Sequence, residues 1–547
     1  MKAAPSPAHA PACRFIRHVG PTALGLWASA TLVACASFGS GGPSAAPGAG
    51  HGSETGRHGT AGGVLPPSLA VPPPAAPETP GPLLPEPTRT RLKNGSEVHV
   101  LQRPGARLVS LRVALRAPLA NAAERRVALW ALTSLLRSAT QKEEAALEAF
   151  GSKPQVILSE VEHGAQIAWS VRPEQLEAAL DWLAAKLQSP RLTNFDAVAW
   201  QLERHQIHRL RTEPGYLATY LTTAALPTGG PEQLRLQAPH PALQSPRSFE
   251  CQRWLLQALR PDQIHVVVLG PLDAARADAL VRSSFGDWST STKTPATSST
   301  SPLPASKERP RSPSLQLAHA ENSAWAHLHF SFAGPDGASG ERAWAQLRWG
   351  LELLRGSEGL QRVARELRAT RPTISATRHG DSWRIHVDVA APGEKTLELA
   401  TAVRAELRRL AQAGLSADRI ARAVDVERAR LRRAWQDQEQ LATLLAGFVG
   451  AGLDPRLLSE ELSPPPGELD AIARRLDASW RWDDVLDELE VTVVGDAKRL
   501  EKALSAWRPV LVFDPKRDLR LLRRVAHDPE APRDISASAT EEDTPGP

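Results

Sequence analysis

Residues Arg107–Pro118 read RLVSLRVALRAP, and Ala123–Arg137 continue with AERRVALWALTSLLR. The first string alternates as a half-buried strand does. The second brings its apolar residues back every three or four positions, the period of a helix with one face in a core. The same pair of elements returns far down the chain, where WAHLHFSFAGP (Trp325–Pro335) runs into GERAWAQLRWGLELLR (Gly340–Arg355). Pro118 is as far from Pro335 as Glu124 is from Glu341. A unit recurring at a fixed offset marks a duplication.

The repeat extends outward from these strings. Gly164 opens GAQIAWSVR ahead of the helical PEQLEAALDWLAAKL, and Gly380 opens GDSWRIHVDVA ahead of EKTLELATAVRAELRRL, at almost the same offset. Glu203-Arg204 and Glu427-Arg428 lie on the next long helices, at an offset only slightly longer. Gly270, in IHVVVLGPLDAARADALVRSSFGDW, is echoed at nearly that longer offset by Gly495, in LEVTVVGDAKRLEKALSAW. These landmarks keep one order with little drift, so the chain is read as an α+β protein of two homologous domains. Each is expected to hold an antiparallel-rich sheet packed with helices.

Proline-rich and low-complexity stretches mark the boundaries. Residues 1–34 join a positively charged leader to the short apolar run PTALGLWASATLVA, the pattern of an export signal too short to span a bilayer. Leu32-Val33-Ala34-Cys35 resembles the lipobox of bacterial lipoproteins, which makes Cys35 the expected lipidation site. Ala36 behind it resembles the sorting signal for the outer membrane, implying a lipid-anchored protein of the bacterial cell envelope that faces the periplasm. Residues 35–88 hold 12 of the 47 prolines and read as a tether. A first domain over 89–288, a Ser/Pro-rich linker over 289–314, a second domain over 315–515 and a partly disordered tail over 516–547 complete the division. Within that tail, KRDLRLLRR predicts a last helix.

The formal charge of +5 invites a polyanion partner, but Lys2, Arg14 and Arg17 belong to the leader, and without them it falls to +2. No nucleic-acid partner is therefore expected. Beyond Cys13 and Cys35 the chain has only Cys251, so no internal disulfide is available after export and stability rests on the core. Apolar residues at helical spacing follow Cys251 and mark it as packed rather than reactive.

The order of elements resembles the pitrilysin/insulinase family of zinc peptidases, which includes the mitochondrial processing peptidase. RLKNGSEVHVLQRPGARLVSLRVAL resembles that family's first strands, joined by an Asn-Gly turn, and SSFGDW at 283–288 resembles the close of its first domain. The resemblance implies a zinc site of the form His-x-x-Glu-His on the first helix. There two imidazoles four residues apart bind the metal and the Glu activates its water. In that register this chain carries Trp130, Thr133 and Ser134. Indole is no metal ligand and a Thr hydroxyl is no general base near neutral pH. The third ligand implied by the family, seven positions after Glu203, falls on Leu210. All the degenerate positions point to a chain with no catalytic residues of the family kind, no metal and no cofactor at that site.

The family's substrate-positioning Arg and Tyr fall within QRVARELRATRPTISAT, where Arg362 and Arg368 match two arginines and Ser375 replaces the Tyr. Arg368 is left as the candidate substrate-binding residue, a carbonyl or oxyanion donor. The tyrosines, Tyr216 and Tyr220, lie elsewhere. The residual metal candidates are Glu203, His205 and His208 on one helix, beside Arg204, Arg209 and Arg211, and His327 with His329 on one side of a strand. Solvated helix residues and a mixed-polarity strand face account for them as well.

These observations lead to a non-catalytic, membrane-tethered member of the pitrilysin/insulinase fold. It is expected to bind peptide or unfolded polypeptide, or a zinc-peptidase sister subunit, across the inner faces of its two halves, with the linker as a hinge. Two other functions fit the sequence: an active zinc metalloendopeptidase with an atypical site, and a scaffold lipoprotein of the envelope.

Overall fold

The computed structural model describes residues 86–116, 119, 122–138, 141–159, 164–223, 245–289, 315–334, 341–379, 382–413, 415–456, 468–479 and 489–530. The export signal, Cys35 and almost all of the tether lie outside the described residues, as do 290–314 of the linker and the tail after 530.

The first half runs β1 (Thr88–Arg91), β2 (Glu97–Gln102), β3 (Val109–Leu115), α1 (Ala122–Arg137), α2 (Gln141–Ala149), β4 (Gln155–Ser159), β5 (Gly164–Val171), α3 (Leu176–Gln188), α4 (Phe195–Thr212), α5 (Pro214–Thr223), α6 (Ser248–Ala258), β6 (Ile264–Gly270) and α7 (Ala274–Phe285). Its sheet has the order β1-β2-β6-β3-β5-β4 and is antiparallel except for the β2–β6 pair. The second half runs β7 (Leu315–His319), β8 (Trp325–Ala333), α8 (Glu341–Arg355), α9 (Glu358–Glu366), β9 (Thr373–His379), β10 (Ser382–Pro392), α10 (Thr396–Ala413), α11 (Ala417–Gln436), α12 (Gln438–Gly450), α13 (Leu469–Ser479), β11 (Glu490–Gly495), α14 (Ala497–Ser505), β12 (Val510–Asp514) and β13 (Arg520–Val525). Its sheet has the order β13-β12-β7-β11-β8-β10-β9. Two mixed, mostly antiparallel sheets with helices make this the α+β architecture read from the sequence.

Strand alternation sets what each sheet face can do. On β3, Val109, Leu111, Val113 and Leu115 enter the core of the first half, while Ser110, Arg112 and Ala114 point the other way. Local chemistry fixes the turns. Gly95, at φ 95, takes the left-handed position between β1 and β2. Beside it, the Asn94 side chain donates to the carbonyls of Phe285 and Trp288 and so ties the hairpin to SSFGDW. Asp273 and Asp496 cap the helices that follow β6 and β11, their carboxylates accepting from the backbone N–H groups of Arg276 and Lys498.

The halves interlock. Helix α12 of the second half lies on β3, β5 and β6 of the first sheet, and α5 of the first half lies on β7, β8 and β11 of the second. Pro214 and Gln438, which open these helices, are related by the same offset as Glu203 and Glu427, so the exchange follows the duplication. Leu441, Leu445 and Phe448 of α12 join Leu101, Ala114, Val267 and Leu269 of the first sheet in the larger core. Leu217, Ala218 and Leu221 of α5 pack with Ala318 and Val494 of the second.

One element departs from expectation. KRDLRLLRR forms a strand, not a helix: Asp518 and Leu519 take left-handed φ of 52 and 51, and the chain turns back so that β13 pairs antiparallel with β12. Leu521 then packs on Leu511 and Phe513, and the second sheet extends beyond residue 515. The open edge of β12 offered backbone hydrogen bonds that a charged surface helix would have left unused.

Candidate functional site

The face of the first sheet beneath α12 is polar at its centre. Asp437 caps α12 through the N–H groups of Glu439 and Gln440, and this places Glu439 over the sheet. Its carboxylate accepts from Ser110 Oγ, from Arg112 Nη2 and, at 2.7 Å, from Ser170 Oγ. Gln166 Nε2 reaches the Thr443 carbonyl at 3.2 Å, and Gln438 Nε2 reaches the carbonyls of Leu108 and Leu269. Burial pushes the Glu439 carboxyl up, but Arg112 and the hydroxyls of Ser110 and Ser170 outweigh it and hold the group below its ordinary value.

The second sheet carries a linear relay. His329 Nδ1 stands 2.6 Å from Asp388 Oδ1, His329 Nε2 is 3.1 Å from His386 Nδ1, and His386 Nε2 is 2.7 Å from Thr377 Oγ1. An ionised Asp388 only accepts. Both rings are therefore satisfied in the neutral form when each donates from Nδ1 and the Thr377 hydroxyl donates to His386. On the same sheet Thr222 of α5 meets Thr492 of β11, hydroxyl to hydroxyl, at 2.7 Å.

A third cluster lies on β2 and β6. The parallel register sets Glu97 directly opposite His265, with His99 two residues along and on the same side. Glu97 Oε2 stands 3.5 Å from both His99 Nε2 and His265 Nδ1. The histidines are only 2% and 7% exposed, and all four of their ring nitrogens lack a hydrogen-bond partner. A buried polar group left unpaired costs about 1–3 kcal/mol. Burial, reinforced by neighbouring positive charge, pushes both imidazoles down to about 4, with Glu97 opposing it. Arg89 binds Glu97 from the solvent side, Nη2 to Oε1 at 2.7 Å and Nε to Oε2 at 3.1 Å. Among the described residues this is the one set of three His, Cys, Asp or Glu side chains within mutual ligand reach. Sequence reasoning missed it because its two strands come from opposite ends of the first half and only their pairing brings them together. The one local trace is the alternation of Glu97 and His99 in EVHVLQ.

Solved structures share this architecture at low identity. An M16-like peptidase from Alicyclobacillus acidocaldarius aligns with a TM-score of 0.57 at 16% identity, over 75% of this chain and 98% of that one. The fold is that of the M16 peptidases. A peptidase M16 inactive domain from Pseudomonas fluorescens aligns at 0.53 and 15% identity, over 75% and 98%. The first half of the periplasmic protease PqqL from Escherichia coli aligns at 0.50 and 13%, over 76% and 93%. Residues 252–426 match the family described as Peptidase M16 inactive domain. No curated protein matches the sequence. The resemblance read from the sequence is borne out.

Within the M16 fold, the residues at the positions implied for zinc serve the packing. Trp130 is buried in the first-half core, and Ser134 is fully buried, its carbonyl accepting from Ser138 Oγ at 2.6 Å. Thr133 is half-buried on the same helix. Leu210 belongs to a separate apolar cluster with Leu217, Leu221, Val494 and Leu519. These positions thus divide between two cores.

The remaining candidates disperse. Glu203, His205 and His208 are exposed along α4 and do not come within ligand reach of one another. His327 is half-buried beside the relay that takes up His329. Arg368 is exposed and holds a left-handed φ of 53 just past α9, where Ala369 N–H closes on the Ala364 carbonyl at 2.7 Å, so its backbone serves as a helix terminator. Arg362 is exposed near Glu366, and Ser375 pairs with His386 across β9 and β10. Tyr216 and Tyr220 both sit on α5, with the Arg209 guanidinium 3.9 Å from the Tyr216 ring centroid. Burial, with a smaller push from Glu250, raises the Cys251 thiol to about 12, which leaves no thiolate for chemistry.

Proposed function

We propose that this protein is a non-catalytic M16-like subunit of the bacterial cell envelope, lipid-anchored at Cys35, that binds peptide or unfolded polypeptide together with a zinc-bearing sister chain. The observation that carries the reading is the M16 fold with Trp130, Thr133, Ser134 and Leu210 at the metal and base positions, the first and last of them packed into apolar cores. The interlock of α5 and α12 changes one part of the expectation. The inner sheet faces each carry a helix of the other half, so the space between the halves is not the binding chamber and the linker is not its hinge. The chain would instead dock as one block. Periplasmic placement is supported by the lipobox-like Leu32–Cys35, and the PqqL protein of similar fold is itself described as a periplasmic protease.

The test is peptide hydrolysis by the purified protein, alone and combined with an M16 peptidase bearing His-x-x-Glu-His from the same envelope. The protein alone should leave an unstructured substrate intact, with or without added Zn²⁺, and should raise the turnover of the sister chain. Chelator-sensitive hydrolysis by the protein alone would overturn the reading.

A further inference from the structure

We propose that Glu97, His99 and His265 form a binding site for a divalent transition-metal cation of the zinc class, separate from the helix positions at which an M16 fold would carry one. Two imidazoles and a carboxylate, with no thiolate, are a donor set suited to zinc and its neighbours rather than to magnesium or calcium. Geometry supports the same class. Ligands about 2.0–2.2 Å from a tetrahedral zinc lie about 3.3–3.6 Å from one another. The Glu97 oxygen stands 3.5 Å from a nitrogen of each histidine.

That spacing is too long for good hydrogen bonds, and the same nitrogens have no other partner. A cation between the three side chains would satisfy one nitrogen of each ring. The remaining position of a tetrahedral shell would fall to water. Arg89 does not block the site, because each carboxylate oxygen offers two acceptor directions and Arg89 takes one on Oε2. Its side chain is 55% exposed and can swing into solvent as the cation enters.

The position suggests a structural role. The ligands join the only parallel strand pair among the described strands of the first sheet. Beside that pair, Arg116 lies against Gly452 in the turn that follows α12, so close that a Cβ on Gly452 would stand 2.7 Å from Arg116 Nη2. A cation here would pin the first sheet at the seam where the second half crosses it.

The experiment uses the full purified chain, stripped with chelator and titrated with Zn²⁺, with Co²⁺ as the spectroscopic probe. One zinc per chain is expected, with a rise in the unfolding midpoint and the visible absorption of a tetrahedral Co²⁺ site. His99→Ala, His265→Ala and Glu97→Gln should each weaken binding at least about tenfold. The His205→Ala/His208→Ala double variant should keep full stoichiometry. Glu97→Gln preserves side-chain size at a partly exposed position and decides the matter where a histidine variant fails to fold. Absence of zinc uptake by the wild-type chain, or uptake unchanged in Glu97→Gln and in the folded histidine variants, would overturn the site. Zinc bound without peptide hydrolysis satisfies both proposals, whereas hydrolysis that survives Glu97→Gln would strike only the non-catalytic reading.

Discussion

The two sheets each bury a pair of histidines, and they treat them differently. In the second, His329 and His386 are bonded at every ring nitrogen, from Asp388 through to Thr377. In the first, His99 and His265 touch no hydrogen-bond partner at all. At the offsets that relate the halves, Glu124 to Glu341 early in the repeat and Gly270 to Gly495 late in it, His99 corresponds to Gln316 and His265 to Glu490. Both have partners: Gln316 reaches the Leu221 carbonyl and Glu490 pairs with Arg384 at 3.0 Å. In the other direction, the strand registers match His329 to Arg112 and His386 to Gln166, which reach α12 at Glu439 and at the Thr443 carbonyl. Duplication preserved the strands and caps while the polar chemistry of the sheet faces diverged. The comparison separates a self-satisfied network from a set of donors that lacks its acceptor.

The largest effect should come from breaking the satisfied pair. His386→Leu strands His329 Nε2 and the Thr377 hydroxyl in a buried setting, and should destabilise the protein by about 2–4 kcal/mol, read from urea unfolding. A smaller effect tests the clamp on the first sheet. The Glu439 carboxyl is held below its ordinary 4.5, so its contribution is present above that value and is lost as pH falls below it. Half of the side chain is exposed, which keeps the contribution under about 1 kcal/mol. Urea midpoints compared at pH 5 and pH 3 should fall less in Glu439→Gln than in the wild type, and equal falls would remove Glu439 from the acid response. The smallest effect belongs to the unsatisfied pair. In chelator-treated protein, His99→Leu/His265→Leu should change stability by less than about 1 kcal/mol or raise it, because no hydrogen bond is lost. A loss as large as that of His386→Leu would show that the two pairs are equivalent after all.

Much of the fold was legible because its signals are local and doubled. The alternation of Val109 to Leu115, the Asn94-Gly95 turn and the helix at Ala122–Arg137 each announce themselves within a short stretch, and each has a counterpart or an anchor elsewhere. The unfitness of Trp130 and Leu210 for metal was legible for the same reason, since side-chain chemistry needs no tertiary context. The fate of KRDLRLLRR was not, because two left-handed residues and the free edge of β12 decide it. Nor was the destination of α5 and α12. An apolar helix face declares that it will be covered, but not that the cover is the sheet of the opposite repeat. The Glu97–His99–His265 trio depends on a register between distant strands and left only an alternating Glu and His to find.

The reciprocal placement of α5 and α12 also governs what happens when the chain is cut. A protease acting in the Ser/Pro-rich stretch between the halves would remove one covalent connection and leave in place the packing of α5 and α12 that joins them. The nicked protein would run as two bands under denaturing conditions and as one particle otherwise. Either half made alone would expose the apolar residues of a sheet face, Leu101, Val267 and Leu269 in the first, that the other half normally covers. The gene duplication thus produced two copies of a unit, each of which covers a sheet face of the other with one of its helices.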